Sequence, residues 1–461
     1  MEKWQEAKKR FNCQVLNRHY GLLLLLAVMM EVALVSLHGT RQNPPHVVEF
    51  ITAYLVASLS YLVSCYLVIN KNQAYLGRAG VRFIWSMAIL FRLTMLPLDL
   101  QLSEDLHRYR WNGMLQVAGG NPYTAAPESP SWSHIQDESY RSIPGKQLPT
   151  VYGPVLEMVY AATYTITASV TDDPVRQAWF FKIPFALIEL MVGWALVGLL
   201  RVLNRPPSWL LIYLWSPLII VEFWGQGHND PLVMLFVVLA LSAAVSCRWH
   251  RAWNWLSVAV LTKLWPLLLV PLFILHGTVR RLFWSKTTFS ILALVSLLLA
   301  PYWDGIANWG ATLSVFTDGR QNNAGIYAVI LAISGDDYRL TTAVTIVLLL
   351  AMLLVLVTLR WGIVQGSMAA VVVMLLLSAN CFPWYLGWLV PFIAIYPNIG
   401  LLLWTTLIVL SYHVLIDYTV LGIWHDSFEL RLLQYLPVYA MLLWSTCRLK
   451  YRVRERLEKS T

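Results

Sequence analysis

Long apolar runs separated by short polar breaks dominate the chain. The first extends from Gly21 to Leu37, and others lie near 49–69, 83–99, 151–170, 178–200, 208–224, 231–247, 254–275, 288–302, 323–334, 340–359, 368–395, 399–416 and 430–447. A helix needs about 20 apolar residues to cross roughly 30 Å of hydrocarbon, whereas a barrel strand needs about 10 alternating ones. Hydrocarbon offers no partner for a free N–H or C=O, so runs of this length must satisfy their backbone inside helices. The pattern therefore predicts an all-α polytopic membrane protein, a bundle of about eleven to thirteen membrane segments.

Composition agrees. Of 461 residues 58% are hydrophobic and 13% charged, where soluble domains carry about 25% charged residues. The net charge of +9 does not point to nucleic acid, because Lys and Arg fall in short clusters between apolar runs. The positive-inside rule explains that placement. It puts Lys8, Lys9, Arg10 and Arg18, then Lys71, Arg78 and Arg82, and the tail from Arg448 to Lys459 on the cytoplasmic side. Both termini are then cytoplasmic, and the polar stretch from Gln101 to Thr150 is extracytoplasmic. With no small-residue cleavage site behind it, the first run reads as an uncleaved helix. Five cysteines, Cys13, Cys65, Cys247, Cys381 and Cys447, are scattered without CxxC spacing and imply neither disulfides nor a metal site. No internal repeat or low-complexity linker divides the chain. The expected organisation is one membrane domain over 1–461, with a large first extracytoplasmic loop at 100–150 and a basic tail at 448–461.

Parity complicates the topology. If Arg201, Arg205, Arg248, Arg251, Arg280, Arg281 and Arg360 are all cytoplasmic, some runs cannot cross once each. Two candidates for re-entry are Leu256–Leu275, divided by Pro266 and Pro271 and turning near Lys263, and 151–170, opened by Tyr152-Gly153-Pro154. Irregular backbone at membrane depth is tolerated only inside protein or along a polar cavity, so both are candidate site walls.

Five segments hold candidate chemistry. Just past the third run, Glu104, Asp105, His107, Arg108 and Arg110 put both signs of charge within two helical turns, beside Trp111. A carboxylate there suits a general base, and Arg or His suits a phosphate. A solvated interfacial helix reads equally well. Gly120-Asn121-Pro122-Tyr123 and Tyr152-Gly153-Pro154 specify shaped turns. His228, Asn229 and Asp230 follow an apolar run that already contains Glu222, and suit sugar hydroxyls or the orientation of a catalytic carboxylate. Ionisable residues at this depth usually face a cavity or partner. Lys263 is a lone cation in an apolar segment, offset either by a lipid-linked phosphate or by snorkelling. Finally, Pro383-Trp384-Tyr385 interrupts a late apolar run with aromatics fit for sugar rings, isoprenoid tails or headgroups.

In this order, the segments resemble the GT-C superfamily of membrane glycosyltransferases. The likeness is to bacterial and archaeal polyprenol-phosphate-dependent mannosyltransferase-like members and to the first mannosyltransferase of GPI-anchor synthesis. The matching stretches are Asp105–Trp111, Gly120–Tyr123, Tyr152–Pro154, Gly227–Asp230, Lys263–Pro266 and Pro383–Tyr385, spanning about 100–390. The resemblance implies a GT-C-like bundle that moves a hexose, mannose in the named relatives, from a polyprenyl-phosphate sugar to a lipid or glycan acceptor on the extracytoplasmic side, with inversion. It implies Asp105 as base with Glu104 its neighbour, and Lys263 with Arg108 or Arg110 on the donor phosphate. The remaining candidates, His107, Trp111, Asn121, Tyr123, Tyr152, His228, Asn229, Asp230, Trp384 and Tyr385, would line the substrate site. The acidic pair here is Glu-Asp rather than Asp-x-Asp. Adjacent helical carboxylates diverge by about 100°, which counts against a divalent-metal site without removing it. No definite cofactor is implied. A transporter or flippase of a lipid-linked substrate is the alternative, and it predicts repeat symmetry with a midplane site. The location expected is a prokaryotic inner membrane.

Overall fold

The computed structural model describes residues 20–40, 46–70, 77–99, 102–277, 286–317 and 321–458. Cys13, Lys8, Lys9, Arg10, Arg18, Lys71, Arg280, Arg281 and Lys459 lie outside them. The basic tail continues the backbone of a helix that runs from Phe428 to Glu458.

Among the described residues every regular element is a helix, so the protein is an all-α polytopic membrane protein. Among the described residues five helices are long and apolar enough to cross a membrane: Tyr20–Thr40, Val47–Asn70, Pro174–Val202, Tyr338–Thr358 and Ile399–Leu421. Their outward faces are apolar. On Tyr338–Thr358, Val347, Leu350 and Leu354 stand 63%, 59% and 63% exposed, a surface suited to lipid and not to water.

Several expected runs are not single crossings. The run near 208–224 breaks into Pro207–Leu214 and Pro217–Gly225, bent by 50°. Pro217 has no N–H and cannot continue the ladder. The 254–275 and 368–395 runs also divide, giving Trp265–His276, Ile363–Leu376 and Pro383–Ile395. At 1.5 Å per residue, a 14-residue helix reaches about 21 Å, short of the hydrocarbon thickness.

Two compact units make up the chain. The first comprises Met1–Leu98, Asn204–Val221 and Ile393–Thr461. At its centre the break before Pro217 frees carbonyls that buried side chains satisfy. Tyr61 donates to the Ile212 carbonyl at 2.7 Å and Arg92 to that of Leu214 at 2.7 Å, while the Trp215 indole donates to Ile84 at 2.9 Å.

The second unit comprises Asp99–Leu203 and Glu222–Phe392. Its expected loop is ordered around a helix, Asp105–Val117, followed by short 3-10 turns at Pro130–Ile135 and Glu138–Ser142. The stretch 151–170 does not double back within itself as the re-entry reading expected. It forms one helix, Pro154–Ala168, with proline at its first turn. Reversal occurs instead at Lys263. Helix Trp249–Thr262 ends there in extended backbone, φ −147° and ψ 148°, and Trp265–Leu269 and Val270–His276 return alongside. Ring contacts of Trp249 and Trp253 with Phe273, at 6.3 and 5.7 Å, show the limbs antiparallel.

Gly153 seats the start of helix Pro154–Ala168 on the tip of this hairpin, and its N–H donates to the Thr262 carbonyl at 3.2 Å. A Cβ at 153 would lie 2.2 Å from the Leu261 carbonyl oxygen and 2.6 Å from that of Thr262. Both neighbours are backbone and cannot rotate away. Gly153→Ala is expected to cost about 3 kcal/mol, read as a clear drop in the thermal midpoint in detergent. An unchanged midpoint would show that the tip can separate freely from the helix.

Candidate active site

The site forms in the second unit where three irregular backbones meet. Asp105 opens helix Asp105–Val117, its N–H accepted by the Ser103 hydroxyl at 3.2 Å. A helix N-terminus favours negative charge. The second backbone is a π turn, Ile220–Gly225, leading into Gln226–Asp230. Such wide turns are rare and concentrate at functional sites. Gly227 sits at φ +75°, and a Cβ there would meet Lys182 and Leu106 side chains at 2.8 and 3.0 Å, so glycine alone fits. The third is the hairpin tip at Lys263.

These backbones bring together residues far apart in sequence. His228 Nε2 lies 3.9 Å from Asp105 Oδ2, and Nδ1 lies 3.2 Å from Glu222 Oε2 and 3.2 Å from the Glu222 carbonyl. Lys263 Nζ donates to Asp230 Oδ1 at 2.5 Å, and the Trp388 indole donates to the same oxygen at 2.7 Å. Asn229 donates to the Tyr160 hydroxyl at 2.6 Å. Tyr160 stacks on Tyr109, ring centres 4.8 Å apart, and Tyr109 reaches Asp105 Oδ2 at 3.4 Å.

Each member of the 228–230 triplet keeps one polar atom in reserve. His228 Nε2, Asn229 Oδ1 and Asp230 Oδ2 are buried without a hydrogen-bond partner. Buried polar atoms left without a partner cost about 1–3 kcal/mol each, and these three lie in succession beside Asp105.

Aromatic rings form the wall. Trp384 stacks on His228 at 3.9 Å and on Phe382 at 4.7 Å. Tyr385 and Trp265 stack on Trp388 at 4.7 and 5.1 Å. Lys263 Nζ is 6.0 Å from the Tyr385 ring centre and 5.8 Å from that of Trp388, within cation–π range.

Burial pushes the Asp105 carboxyl above its usual range, while the neighbouring charges of His228 and Lys263 pull it back down. Glu104 is also raised, first by desolvation. His107 is held below the ordinary histidine value by desolvation and by Arg110.

The other candidates make contacts within the loop and its neighbouring turns. Arg108 donates to the Gly145 and Leu148 carbonyls at 3.0 and 2.8 Å, tying down the loop. Arg110 is spent on Gln177, Ser139 and Asp137 at 2.7, 2.8 and 2.6 Å. Trp111 is buried against Met114, Ile143 and Tyr140. Asn121 accepts from the Tyr123 N–H at 3.0 Å in a turn, and Tyr123 donates to the Tyr152 carbonyl at 2.9 Å. The Tyr152 ring meets Tyr109 edge-on at 5.2 Å, the one of this turn group that reaches the ring stack beside Asp105. Among the described residues no three His, Cys, Asp or Glu groups are arranged to hold a metal ion. Sequence reasoning left Glu222 and Trp388 outside the candidate set and passed over Tyr160. Glu222 had a signal, a carboxylate in an apolar run; Tyr160 had none.

Fold and site define a polytopic helical membrane protein whose second unit holds a cluster of opposed charges beside an aromatic wall. Its sequence matches the family model described as alpha-(1->6)-mannopyranosyltransferase, N-terminal domain, over residues 22–278, more than half the chain, and the protein belongs to that family. The matched region contains Asp105, Glu222, His228, Asp230 and Lys263, while the 382–388 aromatic segment lies beyond it. Alpha-(1->6)-mannopyranosyltransferase A of Corynebacterium glutamicum is 21% identical over 326 residues, 62% of this chain and 65% of that protein. The chain thus spans just under two thirds of that relative. No solved structure matches it.

Proposed function

We propose that this protein is a membrane mannosyltransferase that takes its sugar from a polyprenyl-phosphate carrier and passes it to a lipid or glycan hydroxyl on the extracytoplasmic side. One observation supports the reading above others: a base, Asp105, and a cation, Lys263, flank a triplet whose free polar atoms suit sugar hydroxyls. Family membership supports mannose. The acceptor oxygen would attack the anomeric carbon as the bond to phosphate breaks. Asp105 takes the hydroxyl proton, and the phosphate leaves with the electron pair and with Lys263 to neutralise it. Lys263, held by Asp230 beside the triplet, is the cation proposed for the donor phosphate, whereas Arg108 and Arg110 contact the loop.

Radiolabelled transfer by purified protein from a panel of polyprenyl-phosphate sugars, mannose first, to total membrane lipid tests this reading. Turnover confined to the mannose donor is the expected result. No turnover from any donor by folded protein overturns it and favours translocation of a lipid-linked substrate. The rate should also depend on pH with a defined sign. A base works only when ionised, so activity is present above the raised Asp105 value and is lost as pH falls through it. The acid limb is expected above the ordinary aspartate value of about 3.9. A limb at or below that value would remove Asp105 from the role.

A further inference from the structure

We propose that His228, gripped by Glu222 and roofed by Trp384, is a positioning residue that holds the Asp105 carboxylate charged and aimed for transfer. The inference rests on the functional reading above and refines it: of the three free atoms, His228 Nε2 is assigned to Asp105, and Asn229 Oδ1 and Asp230 Oδ2 are left for the sugar.

Hydrogen-bond geometry fixes the ring first. Nδ1 faces two acceptors, the carbonyl and the carboxylate of Glu222, each at 3.2 Å, so the hydrogen sits on Nδ1. Trp384 lies nearly parallel over the face of the ring, 3.9 Å away at 18°, and blocks rotation. The π turn places Glu222 six residues before His228 yet beside it, and the His228 N–H also donates to the Glu222 carbonyl at 3.0 Å.

Nε2 then has one direction to face. It is buried, lacks a hydrogen-bond partner and stands 3.9 Å from Asp105 Oδ2. That separation exceeds a hydrogen bond and joins a fully buried ring to a carboxylate whose side chain is 26% exposed. A catalytic contact at this distance commonly tightens when substrate binds. Glu222 on the far side holds the ring through Nδ1, and the ring turns Nε2 toward Asp105. The arrangement repeats the logic of a base oriented by a third group, with the carboxylate as base and the imidazole as its support.

The charged and titratable groups facing Asp105 are His228 and Asp230 from the 226–230 segment, Lys263 from the hairpin tip, Tyr152 and Tyr160 from the turn and helix at 152–168, Tyr385 from the aromatic wall, and Glu104, Arg108 and Tyr109 from its own element. Lys263 is already matched by Asp230 at 2.5 Å. His228 is the largest influence opposing the desolvation of Asp105. Removing it should therefore leave the base less ionised near neutrality, and more alkaline solution should restore it.

The test is the transfer rate against pH for full-length wild type, His228→Gln, Glu222→Gln and the double variant, with the donor varied to separate kcat from KM. Near neutral pH, His228→Gln should lose about 10- to 100-fold in kcat, with donor KM within about threefold of wild type. The deficit should narrow to about threefold or less at alkaline pH, as Asp105 ionises unaided. Glu222→Gln should act in the same direction but more weakly, and the double variant should be no worse than His228→Gln, because the two residues act as a unit. A deficit constant across pH marks a merely structural residue and overturns the proposal, as does full activity or additive losses. Should His228→Gln fail to fold, the pH-dependent deficit of Glu222→Gln decides by the same criterion. Wild type inactive with every donor overturns the functional reading itself and this inference with it, an outcome distinct from active wild type with an unimpaired variant.

Discussion

Asp105→Asn is expected to reduce transfer about 10³-fold while leaving the protein folded and donor binding nearly unchanged. The reason is chemical and local. Asparagine matches aspartate in shape, still accepts the Tyr109 hydroxyl that now lies 3.4 Å from Oδ2, and still opens the helix at 105. It cannot take a proton. General-base assistance is worth about 10²- to 10⁴-fold, and the loss should appear in kcat rather than donor KM. The carboxylate is already raised by burial, so the neutral amide introduces no new desolvation cost and the thermal midpoint should stay level or rise slightly. Residual turnover within tenfold of wild type would assign the base elsewhere. Glu104 would be the next residue to replace, at the cap of the same helix.

Lys263→Met should cost about 10²- to 10³-fold in kcat/KM for the donor, the range for removing one preorganised stabiliser of developing charge. The single variant confounds two effects. Lys263 holds Asp230, and without it that buried carboxylate keeps only the Trp388 donor at 2.7 Å. Breaking a buried pair by removing one partner costs about 3–5 kcal/mol, so the protein should also melt earlier. Lys263→Met with Asp230→Asn separates them. The amide needs no counter-charge, stability should return, and transfer should not. Recovery of transfer in the double variant would reduce Lys263 to a structural partner of Asp230. Unchanged donor affinity in the single variant would mark a residue that merely snorkels.

The primary structure determined the fold class and much of the vocabulary of the site. Apolar runs of membrane length leave helices as the means of satisfying the backbone, and this holds whatever the tertiary arrangement. A carboxylate after the third run, a triplet of polar residues behind one apolar run and a lone lysine in another were legible for the same reason, because charge is costly beside hydrocarbon and marks itself. The break at Lys263 was legible from Pro266 and Pro271, since proline cannot continue the hydrogen-bond ladder.

Partnership was not legible. Asp105, His228 and Lys263 are separated by more than a hundred residues and then by thirty-five, and only packing brings the first two within 3.9 Å and ties the third to Asp230. Arg108 and Arg110 look in sequence like phosphate ligands, yet tertiary contacts commit them to loop carbonyls and to Asp137. Local sequence fixes which side chains carry charge, whereas the identity of the group each charge meets depends on backbone reversals, at Lys263 and through the π turn at Ile220–Gly225, that only the packed chain makes. Composition and periodicity are sums over near neighbours and were settled along the chain; the site is a set of distances between segments far apart in it, and the tertiary structure alone decided those.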